Sequence, residues 1–183
     1  FIESLVQFRT QTLHYRPYGF SHLRLDYEAL GGGAAALQEA SGLFPDGTPF
    51  EIPVADEAPK ARPLAEFFQP GQETADIFLA LPEYKENALN ISAPGRGLET
   101  RFLAEATPFR DENSGLTERV VQVARKNLRL LVEGENRQGH SLLRVARVRR
   151  TAADTYEFDS AFVPPLLDIR ANDALIRLAR RLL

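Results

Sequence analysis

Between Phe20 and Phe158 the apolar residues come in short runs, each closed by glycine, proline, asparagine or aspartate. Runs of this length suit strands, which need only about four to eight residues, better than the sustained stripe of a long helix. The sharpest closure is Leu43-Phe44-Pro45-Asp46-Gly47-Thr48-Pro49-Phe50. Proline presets the first turn dihedral, aspartate suits the second position and glycine enters positive φ without a Cβ clash, so the segment predicts a hairpin tip. Upstream, Leu23 and Leu25 alternate with His22, Arg24 and Asp26 across a pleat of period two. Further strands are expected over 77–81, 98–104, 120–124, 128–133, 142–148 and 155–158, separated by APGRG, RDENSG and GENRQGH. In residues 98–104, Leu98, Thr100, Phe102 and Ala104 share one face while Glu99, Arg101 and Leu103 share the other, the pattern of a half-buried antiparallel strand. A mainly β, antiparallel sandwich is the economical architecture.

Both ends read as helices. Over residues 1–15, Leu5, Phe8, Thr12 and Tyr15 fall on one stripe, widened by Ile2, Val6 and Leu13, until Pro17 stops the helix. Residues 53–70 are rich in proline and charge and predict a surface connection with an apolar anchor at Leu64, Phe67 and Phe68. After Pro164-Pro165, either Asn172 or Asp173 can cap a helix carrying Leu175, Leu178 and Leu182. The expected organisation is a sandwich over 1–165, including the first helix, and a linker with the start of a second helical unit over 166–183. Phe1, Leu5 and Phe8 on the first helix, and Leu175, Leu178 and Leu182 on the last, are the candidate contacts for a partner or a second copy. The first helix could equally pack on its own sandwich. The chain starts at Phe1 and contains no Met, as expected of a piece of a longer protein.

Composition narrows the chemistry. With no Cys there are no disulfides, thiolate metal sites or cysteine nucleophiles, which is compatible with the cytoplasm. No apolar run approaches the roughly 20 residues that cross a bilayer, so membrane insertion is not expected. Residues 1–115 hold 9 Lys/Arg against 17 Asp/Glu, and residues 116–183 hold 13 against 8. Halves of one domain interleave in space, so this asymmetry predicts internal compensation before nucleic-acid binding. His14, His22 and His140 lack ligand spacing. Ser141 in Gly139-His140-Ser141-Leu142-Leu143 lacks the second glycine of a nucleophile elbow. The pairs Asp56-Glu57 and Asp111-Glu112 lie in polar loops and read as solvated. Gly31-Gly32-Gly33 lacks the spacing and the Lys-Ser/Thr of a phosphate loop. Arg144, Arg147, Arg149 and Arg150 make a basic strand end without interleaved aromatics, which reads as a solvated face. No catalytic residue, metal site or cofactor is expected. A receptor- or carbohydrate-binding sandwich of a phage-like assembly is the alternative class, with no Trp and five Tyr to serve as platforms.

Three segments together resemble one family: RPYGFSHLRLD at 16–26, SGLFPDGTPFEIP at 41–53 and DSAFVPPLLDIRANDALIRLARRLL at 159–183, with DIFLALP at 76–82 and NLRLLVEGE at 127–135 between them. They are similar to the TssK family of bacterial type VI secretion baseplate subunits. The resemblance implies a cytoplasmic, homotrimeric structural adaptor. Its N-terminal β-sandwich would be similar to the shoulder of phage receptor-binding proteins and lead into a helical neck and a C-terminal head. It implies TssF and TssG as partners of the shoulder, and membrane-complex subunits as partners of the head, which this chain lacks. Members of the family carry an upstream Pro-Gln-His-Phe segment that is absent before Phe1. The stretch LGGGAAALQEA at 30–40 is helix-prone by composition, whereas the resemblance implies a strand there.

Overall fold

The computed structural model describes residues 12, 17–69, 71–93, 98–113 and 115–182. The helix expected over 1–15 lies outside the described residues, Thr12 apart. Two antiparallel sheets enclose one core. The first has three strands, β1 (Gly19–Leu25), β3 (Leu37–Leu43) and β4 (Pro49–Ile52), in the order β1-β3-β4. The second has four, β6 (Thr74–Pro82), β10 (Arg129–Val132), β11 (His140–Arg150) and β12 (Tyr156–Phe158), in the order β10-β6-β11-β12. Phe20, Leu37, Phe50 and Ile52 from the first sheet meet Ile77, Leu79, Leu81, Leu130, Val132, Leu143 and Val148 from the second in a single cluster. This is the sandwich that the strand pattern predicts. Strand β6 runs through the middle of its sheet and is buried on both faces, which explains why Ile77-Phe78-Leu79-Ala80-Leu81 is continuously apolar.

The hairpin tip forms as expected between β3 and β4, with Leu43 opposite Pro49. The Phe44 N–H donates to the Thr48 carbonyl at 3.0 Å, the Gly47 N–H to the Phe44 carbonyl at 2.8 Å, and Gly47 takes φ of 85°. Phe44 and Phe50 fold inward from the two flanks, with ring centroids 5.0 Å apart. Leu64 and Phe68, the anchor in the proline-rich connection, are core residues.

Residues 30–40 resolve the conflict between composition and resemblance. Asp26 caps a short helix α1 (Tyr27–Gly31), its carboxylate accepting from the Ala29 N–H at 2.9 Å. The chain then turns into β2 (Ala34–Ala35), which pairs with β5 (Arg62–Pro63), and into β3. Leu37 and Ala40 face the core, and burial there outweighs the helix propensity of the alanines. The glycines spend their N–H groups on the end of α1: Gly32 donates to the carbonyls of Glu28 and Ala29, and Gly33 to that of Leu30.

The strand expected over 98–104 begins later. Leu98 to Thr100 is irregular, and β8 (Phe102–Arg110) continues well past the predicted end to pair with β9 (Glu118–Lys126) over its whole length. A two-residue strand, β7 (Ile91–Ser92), lies parallel to the start of β8. The alternation misled at Arg101, which is 1% exposed, while Leu98 is 48% exposed.

Gly19 and Gly42 sit where β1, β3 and the C-terminal segment touch. The Phe20 N–H donates to the Pro165 carbonyl at 2.9 Å, and the Leu167 N–H to the Phe20 carbonyl at 2.8 Å. A Cβ on Gly42 would lie 2.1 Å from the Gly19 carbonyl oxygen, and one on Gly19 would lie 2.6 Å from the Pro165 backbone. Three backbones therefore approach at a spacing that only glycine permits.

Candidate interaction surfaces

The C-terminal helix α2 (Asp173–Leu182) follows a single 3-10 turn over Ile169–Ala171. Asn172 caps it: its side-chain oxygen accepts from the Leu175 N–H at 3.0 Å. Asp173 in the first turn and Arg180 and Arg181 in the last suit the helix dipole. No described residue of α2 is buried; Leu175 is intermediate, Leu178 is 53% exposed and Leu182 is 80% exposed. The predicted stripe thus exists and is left largely exposed among the described residues. Beneath the start of α2 runs a groove of about 550 Å³, lined among others by Leu23, Leu25, Phe158, Phe162 and Arg177. Phe1, Leu5 and Phe8, the contacts expected on the first helix, lie outside the described residues.

Sequence reading missed a second exposed surface, the ribbon formed by β8 and β9. Its register places Ala104, Ala106, Pro108, Val120 and Ala124 on one face, and Leu103, Phe109, Val121 and Val123 on the other. Val120 is 72% exposed, Val121 46% and Phe109 50%, so apolar side chains reach solvent from both faces. The signal was present in the sequence as alternation of apolar residues on both phases of the pleat, which neither a half-buried nor a fully solvated strand displays.

Where the ribbon joins the body it is fastened through buried polar groups. The Arg101 guanidinium donates to the Pro82 carbonyl at 2.9 Å, to Asp46 Oδ2 at 3.0 Å and to Thr48 Oγ1 at 2.5 Å. Lys126 Nζ donates to both oxygens of the buried Asp56 carboxylate at 2.8 and 3.0 Å. The Asn127 side-chain amide donates to the Thr100 carbonyl at 2.8 Å, and the Ser92 and Thr100 hydroxyls are 2.7 Å apart. Asp56 is therefore a structural acceptor, not the solvated loop acid its sequence neighbourhood suggests; its Oδ2 also takes the Glu51 N–H at 3.0 Å.

The basic end of β11 is likewise committed internally. A register shift between Arg144 and Ala146 marks a bulge in β11. Without it, residues 144 and 147 would point to opposite faces; with it, both sit on the outer face of the sheet. There Arg147 donates to Asp76 Oδ1 at 2.8 Å and Arg144 lies 3.3 Å from Asp76 Oδ2. The hydrogen bond and the charge of Asp76 raise the Arg147 pKa further above its ordinary value. Arg137 and Arg144 both reach over Phe78, and Arg144 and Arg147 reach over Phe162. Aromatic rings do interleave with these arginines, but they come from β6 and from the segment after β12, not from β11 itself. Arg149 pairs with Asp159 and Arg150 with Asp154.

Among the described residues no group of three or more His, Cys, Asp or Glu is placed to hold a metal ion. His22 faces Glu39 at 3.0 Å in the open, and His140 Nδ1 lies 3.1 Å from the Gln138 carbonyl. Two exposed apolar surfaces, the ribbon and α2, are the most distinctive features of the described residues.

The family model described as "Bacterial Type VI secretion, VC_A0110, EvfL, ImpJ, VasE" matches residues 1–183. The chain belongs to the TssK family. It is 33% identical over 186 residues to the type VI secretion system baseplate component TssK1 of Pseudomonas aeruginosa, covering all of this chain and 41% of that protein. Its fold superposes on a TssK crystal structure with a TM-score of 0.86 and 29% identity, covering 99% of this chain and 41% of the other. A TssK chain in the cryo-electron-microscopy structure of a TssK-TssF-TssG baseplate subcomplex matches with a TM-score of 0.84 and 25% identity, over 99% of this chain and 60% of that one. The chain therefore spans about two fifths to three fifths of its TssK relatives. The mainly β, antiparallel architecture expected from the resemblance is the TssK architecture. Among the described residues no helix is long and apolar enough to cross a membrane.

Proposed function

We propose that this chain is the shoulder of a trimeric, cytoplasmic baseplate adaptor that works by binding and transforms no substrate. In this reading the sandwich ends near Pro165, and residues 166–183 lead into a helical neck. The observation that carries the proposal is the match, over 99% of the chain, to a TssK subunit held in a complex with TssF and TssG. The exposed stripe of α2 supports it, because an apolar helix face open to solvent suits packing against copies of itself. TssF and TssG are the partners proposed for the shoulder, and membrane-complex subunits for the remainder of the full-length protein. Phe1, Leu5, Phe8, Leu175, Leu178 and Leu182 are the residues proposed to make contacts between subunits.

Affinity capture with this 183-residue chain as bait tests the partner assignment: TssF and TssG are expected to be retained and membrane-complex subunits to pass through. Retention of neither baseplate subunit would sink it. The trimer is tested in the full-length protein with Leu178→Asp and Leu182→Asp together. Placing two carboxylates in a packed apolar seam should weaken assembly by at least about a hundredfold, about 3 kcal/mol, while the far-ultraviolet spectrum keeps its β signature. An unchanged trimer in sedimentation would remove α2 from the interface.

A further inference from the structure

We propose that the β8–β9 ribbon is an arm with which each copy of this chain grips its neighbours in the assembled ring. The inference rests on the trimeric reading above and deepens it by naming the element that grips. Two-stranded ribbons are marginal in water unless something covers them. Here both sides reach solvent, with Val120 and Ala106 exposed on one face and Phe109 and Val121 on the other. A ribbon that is apolar on both faces is built to be a middle layer.

Area and charge select the occupant. Each strand has nine residues, so at about 3.3 Å per residue the ribbon is about 30 Å long, and with two strands about 10 Å wide each face offers about 300 Å². Laid with one face on a single flat partner, it would bury about 600 Å² counting both sides, the scale of a casual contact, whereas both faces together reach about 1,200 Å², the lower limit for a specific interface. A closed ring of identical copies supplies the two covering surfaces at once, because each arm is flanked by a neighbouring body on one side and by another copy on the other. The charges point the same way. Arg125 binds Glu105 at 2.6 Å and Arg110 stands opposite Glu118, and over residues 102–126, turn included, four Lys/Arg stand against four Asp/Glu, so the ribbon presents no net sign for an oppositely charged partner. The open side of β8 beyond Leu103 carries Pro108, which lacks an N–H and blunts that edge against strand addition. The outer edge of β9, last in the order β7-β8-β9, is unpaired among the described residues, so it is the apolar side chains of the faces, and not blocked edges, that point to covering through the faces.

The test uses the full-length protein in three forms: unmodified, Val120→Asp with Val121→Asp (one on each face), and a trimmed arm in which Asn-Gly joins Leu103 directly to Arg125 as a type I′ turn. Mass photometry should show the unmodified protein as a trimer. Both altered forms should dissociate at least about tenfold more readily, with circular dichroism and melting temperature of the sandwich retained. If the double substitution also unfolds the body, the trimmed form decides. Trimers of unchanged stability in either folded variant overturn the arm, and so does loss of TssF–TssG capture while the trimer persists, which would give the ribbon to a different partner. An unmodified protein that stays monomeric overturns the trimeric reading itself, and the arm with it.

Discussion

Arg101→Met is expected to destabilise the chain by about 3–5 kcal/mol, read as a fall in the urea midpoint followed by circular dichroism. The guanidinium is 1% exposed, and methionine fills much of its volume, so lost packing is a minor part of the effect. The larger part is what is left behind: the Pro82 carbonyl, the Thr48 hydroxyl and the Asp46 carboxylate each lose a donor in or near the interior. Asp46 is 28% exposed and recovers some hydration, which favours the lower end of the range. The double variant Arg101→Met with Asp46→Asn should regain about 1 kcal/mol, since the orphaned charge is removed while a side-chain oxygen can still accept from the Thr48 N–H. A single variant within 1 kcal/mol of the unmodified chain would show that the latch contributes nothing to stability.

Gly42→Ala should cost about 2–4 kcal/mol despite adding one methyl group. Its new Cβ meets the Gly19 carbonyl oxygen at 2.1 Å, and that atom belongs to a backbone already fixed by the Phe20 bonds to Pro165 and Leu167. Neither strand can retreat without opening the β1–β3 ladder. Gly31→Ala is the control: no atom lies within 4 Å of its Cβ and, like Gly42, it does not take a left-handed φ, so the two variants differ in the clash. Thermal melts of the two variants should differ by several degrees, with Gly42→Ala the lower; equal melting temperatures would mean that the contact relaxes freely.

The parts of this fold that were legible share one property: their sequence signal is local. The Pro45-Asp46-Gly47 turn needs only its own dihedrals, and Asn172 needs only the next three residues to cap α2. What escaped depends on residues far away in sequence. Arg101 reads as the solvated phase of a strand until Asp46 and Pro82 are brought against it. Arg144 and Arg147 read as a solvated strand end until the bulge between them brings both to Asp76 and over Phe162. Asp56 reads as a loop acid until Lys126, seventy residues on, arrives with its ammonium. The α2 stripe was visible as helical periodicity, whereas the ribbon was masked because strands that are apolar on both phases are ordinarily interior strands such as β6.

The fastenings at the foot of the ribbon fix more than stability. Arg101, Lys126 and Asn127 tie its two strands to the hairpin tip, to the loop after β4 and to each other, so tilting the ribbon would strip a buried charge of its partners. The ribbon is therefore fixed in direction at its foot instead of swinging as a tether. Most of the rotational freedom that a floppy projection would surrender on meeting its target has already been given up during folding, leaving more of the contact free energy to appear as affinity.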